Sequence, residues 1–154
     1  MDRRKFLSIG ATAALVLPVV SFAMDFRTLK PDAWKAKTVE DAIKKLYGNA
    51  PLVKTDKIKF AHPKVAAKGT TVPIRIFADL KLKSLALFQD SNPESTTAVW
   101  SIYPGTVADF SLKLKLKRKK DGSETVLVAV AEGEDGTLYV QKSSLAVALG
   151  GCEG

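Results

Sequence analysis

The sequence predicts a mainly β protein: an antiparallel β-sandwich with one short helix in front and a thin cysteine-bearing arm behind. Three observations predict it. From Leu52 onward apolar residues recur with a period of two, in about seven short runs at regular spacing. Turn dipeptides separate those runs: Asn92-Pro93, Pro104-Gly105, Asp121-Gly122 and Asp135-Gly136. Ahead of them, one stretch has the helical period instead.

That stretch is 38–48, preceded by a polar lead-in with Trp34 as its anchor. Thr38 is placed to cap the helix, with Asp41 three residues on, and Val39, Ala42, Ile43, Leu46 and Tyr47 share one face. Gly48-Asn49 ends it, with Pro51 soon after. The strands follow. Ile58 and Phe60 alternate with lysines. Val72, Ile74, Ile76 and Ala78 alternate through a second run. Leu85–Gln89 is apolar almost without interruption. Val99–Tyr103 is a fourth run. Phe110, Leu112, Leu114 and Leu116 make a fifth, and Val126, Val128 and Val130 a sixth. Leu138–Val140 and Leu145–Leu149 form the last, with Lys142-Ser143-Ser144 as the place for a break. Asp121-Gly122 and Asp135-Gly136 are the strongest hairpin signals, because both dipeptides accept the positive φ of a tight turn.

The 154 residues predict one helix-plus-sandwich domain, 24–149, flanked by a leader, 1–23, and an arm, 150–154. The leader reads as a secretion signal: Asp2-Arg3-Arg4-Lys5, then an apolar stretch from Ile9 to Val20, then Ser21-Phe22-Ala23 with small residues at both cleavage-site positions. Gly10 and Pro18 interrupt it, and it is too short for a permanent span of about 20 apolar residues. Arg3-Arg4 followed by Phe6-Leu7 resembles a twin-arginine export signal, with Asp2 where Ser or Thr is usual. That route carries folded proteins, and a folded partner carried along is a natural reason for it. The expected location is the periplasm, with no membrane anchor. Removal of 1–23 lowers the net charge from +8 to +6. A basic protein in the periplasm meets no chromosomal DNA, so the charge serves docking to acidic proteins, attraction of small anions, or solubility.

Cys152 is the one cysteine. Exported proteins use cysteines in pairs, and a single one pairs with another chain, carries an adduct or stays a reactive thiol. Gly150-Gly151 before it and Glu153-Gly154 after it cannot build a core, so an inert packed cysteine is excluded by position. Such an arm is expected to be mobile, to reach roughly 10–14 Å, and to enter another protein's cleft. Glu153 and the terminal carboxylate disfavour the thiolate. The thiol therefore suits a carrier activated by partner enzymes better than a self-sufficient cysteine enzyme.

Other chemistry is sparse. His62 is the one histidine, which argues against a catalytic triad or a histidine-rich metal site. Before Pro63 in a loop, it reads as a surface residue. No phosphate-binding glycine loop is present. Lys113, Lys115, Lys117, Arg118, Lys119 and Lys120 look like a basic patch, but alternation with Leu112, Leu114 and Leu116 makes the first of them the solvent face of a strand. A docking or anion-steering surface is the functional alternative. Trp100 and Tyr103 read as core or interface aromatics. Leu85–Gln89 and the surroundings of Trp100 are candidate partner surfaces.

The ending Val147-Ala148-Leu149-Gly150-Gly151-Cys152-Glu153-Gly154 resembles the C-terminus of the SoxY family, which ends in Gly-Gly-Cys-Gly-Gly. Pro63–Ile74 is similar to that family's Pro-x-x-Ala-x-x-Gly-x-x-Val-Pro segment, as are the Asn92-Pro93 turn and Val128-Ala129-Val130 leading to Asp135–Tyr139. The resemblance implies an immunoglobulin-like sandwich and a heterodimer with a SoxZ subunit exported alongside. It implies a sulfur carrier, not a catalyst, in periplasmic thiosulfate oxidation. Cys152 would hold the sulfur, with no other cofactor and no metal. A haem c oxidoreductase would join thiosulfate to it, and a sulfate-releasing hydrolase and further oxidases would process the adduct. Glu153 departs from the family's Gly and bears on which partner clefts accept the arm. The alternative is a structural or adhesive module that uses Cys152 for an intermolecular disulfide.

Overall fold

The structure is a computed structural model, and it describes residues 24–148. Two four-residue helices, α1 (Phe26–Leu29) and α2 (Pro31–Trp34), lead into α3 (Val39–Tyr47). Nine strands follow: β1 (Leu52–Lys54), β2 (Ile58–Ala61), β3 (Val65–Ala66), β4 (Val72–Ala78), β5 (Leu82–Gln89), β6 (Thr96–Ser101), β7 (Ala108–Leu114), β8 (Thr125–Gly133) and β9 (Leu138–Val147). One sheet runs β1-β9-β8-β5-β6, with β3 also on β9, and the other runs β2-β4-β7. The predicted sandwich is the one observed. Among the described residues no helix is long and apolar enough to cross a membrane.

The large sheet is covered on both sides, which makes three layers. Leu85, Leu87, Leu127, Ala129 and Ala131 pack against Ile74, Ile76 and Leu114 of the small sheet. Ala86, Phe88, Val128 and Val130 pack against Ala42, Ile43 and Leu46 of α3. The unbroken apolar run at Leu85–Gln89 has this cause: both of its faces are inside. It is therefore not a partner surface. Trp100 stacks on Phe110 at 4.6 Å between centroids and packs against the core, yet both rings stay half-buried, with Trp100 on the edge strand β6. Tyr103 does stay exposed.

α3 forms as the sequence dictates. Thr38 Oγ1 accepts from Asp41 N at 3.2 Å, and Gly48, at φ 82°, ends the helix by donating to Lys44 O. The lead-in is helical in two short turns and lies along β6, tied by Ser101 Oγ to Met24 O, Thr96 Oγ1 to Ala33 O and Ser95 N to Ala36 O. It covers what would be an open strand beside β6.

Three details depart from the sequence reading. β9 runs from Leu138 to Val147 without a break, because Gln141, Lys142, Ser143 and Ser144 all keep register with β8. β1 and β3 add short parallel pairings, Leu52–Lys54 beside Leu138–Val140 and Val65–Ala66 beside Ala146–Val147. Asp121-Gly122 makes its turn, with Gly122 at φ 76°, but joins no hairpin: β7 and β8 belong to different sheets. Asp135-Gly136 does close the β8–β9 hairpin, with Gly133 N donating to Thr137 O and Gly136 at φ 83°.

Candidate functional site

β9 is the strand that leads toward Cys152. Cys152 itself, with Gly150, Gly151, Glu153 and Gly154, lies outside the described residues, as does the leader 1–23. What the structure defines is the point from which that segment departs. Ala146 N donates to Lys64 O and Ala148 N to Ala66 O, both at 2.9 Å. Leu145 is fully buried at the same end of the sandwich.

A close approach holds this end together. Leu116 N donates to Gly69 O at 2.7 Å. A Cβ at residue 69 would overlap Leu116 O and press on Val147 Cγ1 at 3.1 Å. Only glycine lets the loop after β3 lie this near the Leu116 backbone and the Val147 side chain. Asn92 grips the other side of Leu116: its Nδ2 donates to Lys115 O at 2.8 Å, and its Oδ1 accepts from Lys117 N at 3.0 Å. Gln89, itself buried, orders the turn that carries Asn92. Its Oε1 accepts from Ser91 N and Asn92 N at 2.7 Å each, and its Nε2 donates to Glu94 O. Sequence reasoning missed Gly69, Gln89 and Leu116 in this role. Gly69 stood in the Pro63–Ile74 segment, but nothing local marks what it approaches.

His62 is half-buried, not a free surface side chain. Its Nδ1 donates to Pro63 O at 3.0 Å, which leaves Nε2 to accept from Ser143 Oγ at 2.7 Å. It fastens the loop before β3 to β9. Among the described residues no three His, Cys, Asp or Glu side chains form a group that could hold a metal ion. Lys113 is exposed and Leu114 buried at the end of β7, and beyond the strand, which stops at Leu114 and not at Leu116, Lys115 and Lys117 stay exposed around the buried Leu116.

Two other features lie toward the opposite end of the sandwich. Tyr47 Oη donates to Ser84 Oγ at 3.0 Å, and Ser84 donates to Glu132 at 3.3 Å. Burial pushes the Tyr47 hydroxyl well above the usual phenol range, so it stays protonated and structural. A groove of about 890 Å³ lies between Asp79, Lys81, Tyr103 and Glu134. It sits beside the start of β5 and the end of β8, at the far end from Val147.

Among curated proteins no sequence matches this chain. The sulfur carrier protein SoxY from Chlorobium limicola f thiosulfatophilum superposes with a TM-score of 0.64 at 21% identity, over 72% of this chain and 96% of that one. A superoxide reductase (neelaredoxin) from Ignicoccus hospitalis superposes with a TM-score of 0.51 at 16% identity, over 60% of this chain and 80% of that one. At these identities the likeness is one of fold. The family model for sulfur oxidation protein SoxY matches residues 43–152, a range that begins inside α3, takes in every strand and stops on the cysteine. This chain belongs to the SoxY family.

Proposed function

We propose that this protein is the sulfur carrier of a periplasmic thiosulfate-oxidation system, with the Cys152 thiol as the attachment atom and the reactions supplied by partner enzymes. The observation that carries the reading is that the family match extends to Cys152, the one cysteine of the chain. The anchoring of Ala146 and Ala148 supports it, since a carrier needs its thiol-bearing segment to leave a fixed body.

The chemistry balances with the catalysis elsewhere. The thiolate joins the outer sulfur of thiosulfate, a sulfur–sulfur bond forms, and a pair of electrons passes to a haem c oxidoreductase. Water then cleaves the bond to the sulfonate in a hydrolase, which releases sulfate and protons and leaves a persulfide on Cys152. Nothing near Cys152 in sequence supplies a base, and Glu153 disfavours the thiolate, so a partner site is needed to activate it. A SoxZ-like subunit is the proposed heterodimer partner, and the leader 1–23 is the proposed export signal.

Intact-protein mass spectrometry tests this on protein taken from the periplasm. The expected result is a reductant-sensitive mass increase equal to bound sulfur or thiosulfate, mapped to Cys152. Cys152→Ser should abolish thiosulfate-dependent turnover and leave thermal unfolding unchanged. A bare thiol after exposure to thiosulfate and the partner enzymes would sink the proposal.

A further inference from the structure

The basic residues that the carrier chemistry does not use are gathered at one end of the sandwich. Three segments converge there. Gly69 touches Leu116 and Val147, and β3 pairs with the end of β9. Within 62–70, 113–120 and 141–148 there are Lys and Arg residues and not one Asp or Glu. Lys64, Lys68, Lys115 and Lys117 are exposed and take part in no ion pair among the described residues. Of the carboxylates bordering them, Glu94 is exposed and makes no ion pair among the described residues, and three others are engaged. Asp90 pairs with Lys119 and accepts from Val126 N, Asp121 folds into its own turn with Ser123, and Glu124 accepts the Ser144 hydroxyl. The opposite end is mixed in sign, with Asp56, Asp79, Glu134 and Asp135 beside Lys57 and Lys81.

This asymmetry coincides with the departure of the 149–154 segment. Cys152 is four residues past Ala148, so the chain can carry it no more than about 14 Å away. Any cleft that takes the thiol must lie over this end. We propose that the basic end is a docking surface for the acidic rim of the enzyme cleft that receives Cys152; this rests on the carrier reading. The layout favours a protein rim over a single small anion. Lys115 and Lys117 lie just past the end of β7 and stand exposed on either side of the buried Leu116. The backbone between them is held by Asn92 and Gly69. Exposed charges spread over a held backbone suit several carboxylates of a rim, whereas one anion would need cations converging on a point. Such surfaces act chiefly on encounter and orientation.

The test uses the full chain, co-expressed with its partner subunit, and the haem c oxidoreductase of the same system as probe. Loading of thiosulfate on Cys152 is followed by mass. The pair Lys115→Glu with Lys117→Glu should lower kcat/KM for the carrier about tenfold or more at low salt while kcat holds. Added salt should slow the wild-type protein and narrow that gap. Lys81→Glu with Lys83→Glu, at the far end, should behave as wild type. Equal kcat/KM for the wild type and the 115/117 variant would overturn the proposal, as would equal losses in both variants. Alkylation of Cys152 by anionic iodoacetate and by neutral iodoacetamide separates the sources of an effect. If the 115/117 variant slows iodoacetate as much as it slows enzymatic loading, the surface acts on small anions and the docking proposal falls. A wild-type Cys152 that the enzyme never loads would overturn the carrier reading, and the docking proposal with it.

Discussion

The two faces of the large sheet are built on different principles. The face toward β2-β4-β7 is closed by strands from all along the chain and by branched side chains such as Ile58, Ile74, Ile76 and Leu87. The face toward the helices is closed by one local segment and by small residues: Ala33, Ala36, Ala42 and Ala86 let α3 and the lead-in come down close over Phe88 and Val130. The difference teaches which part of the molecule fixes the fold and which part is a cover. The sandwich face joins β4, β5, β7 and β8 and cannot open alone, whereas the helical cover can lift while the strand pairings persist.

The sharpest way to break that contrast is to cut a cavity on each side of β5, where both residues are fully buried. Phe88→Ala should cost about 3–5 kcal/mol and Leu87→Ala about 2–5 kcal/mol. Amide exchange distinguishes them. Phe88→Ala should release protection over 39–47 before the strands, and Leu87→Ala should lower protection everywhere together. Identical exchange patterns would erase the distinction. Gly69→Ala should come next, at about 2 kcal/mol, because its methyl group meets backbone that has no rotamer to give. Its effect belongs to the sandwich alone, so helix protection should fall only with global unfolding.

Thr38→Ala removes the cap of α3 and should cost about 1 kcal/mol, confined to the cover. The smallest effect is with acid. Hydrogen bonds to Thr28, to Arg75 and to Ser123 and Thr137 backbone hold Asp25, Asp109, Asp121 and Asp135 below the ordinary carboxyl value of 3.8. A carboxyl with a lowered folded value contributes stability that is present above its unfolded value and is lost as pH falls through the folded one. Thermal midpoints should therefore hold from neutral pH down to about pH 5 and decline below about pH 4. A midpoint that rises below pH 4 would contradict the assignment.

The same contrast explains what was legible. α3 was readable because its cap, face and glycine stop lie within eleven residues. β4 and β7 were readable because one side of each meets water and the period of two survives. β5 was readable as a strand, but not for what covers it, since a run apolar on both sides does not say whether the second cover is its own chain or another. β1 and β3 could not be read. They are two or three residues long, and their partners lie more than eighty residues away on β9. Asp121-Gly122 and Asp135-Gly136 show that a dipeptide specifies a positive φ and not which strands flank it. Of the candidate site, Cys152 stands out in the sequence by composition, position and the family ending, and it lies outside the described residues. The anchoring around Gly69 and Leu116 does not stand out, because it exists only where distant segments cross.

β9 has one more consequence, which concerns synthesis. It is the last strand of the described chain, yet it stands inside the sheet, pairing with β8 on one side and β1 and β3 on the other. A nascent chain that stops before Leu145 leaves β3 without its partner and the end of β8 unpaired, with the Leu145 position in the core empty. Completion of the body therefore waits for translation to come within a few codons of Cys152. Products cut short of Leu145 therefore lack both a complete fold and the thiol, and are open to proteolysis.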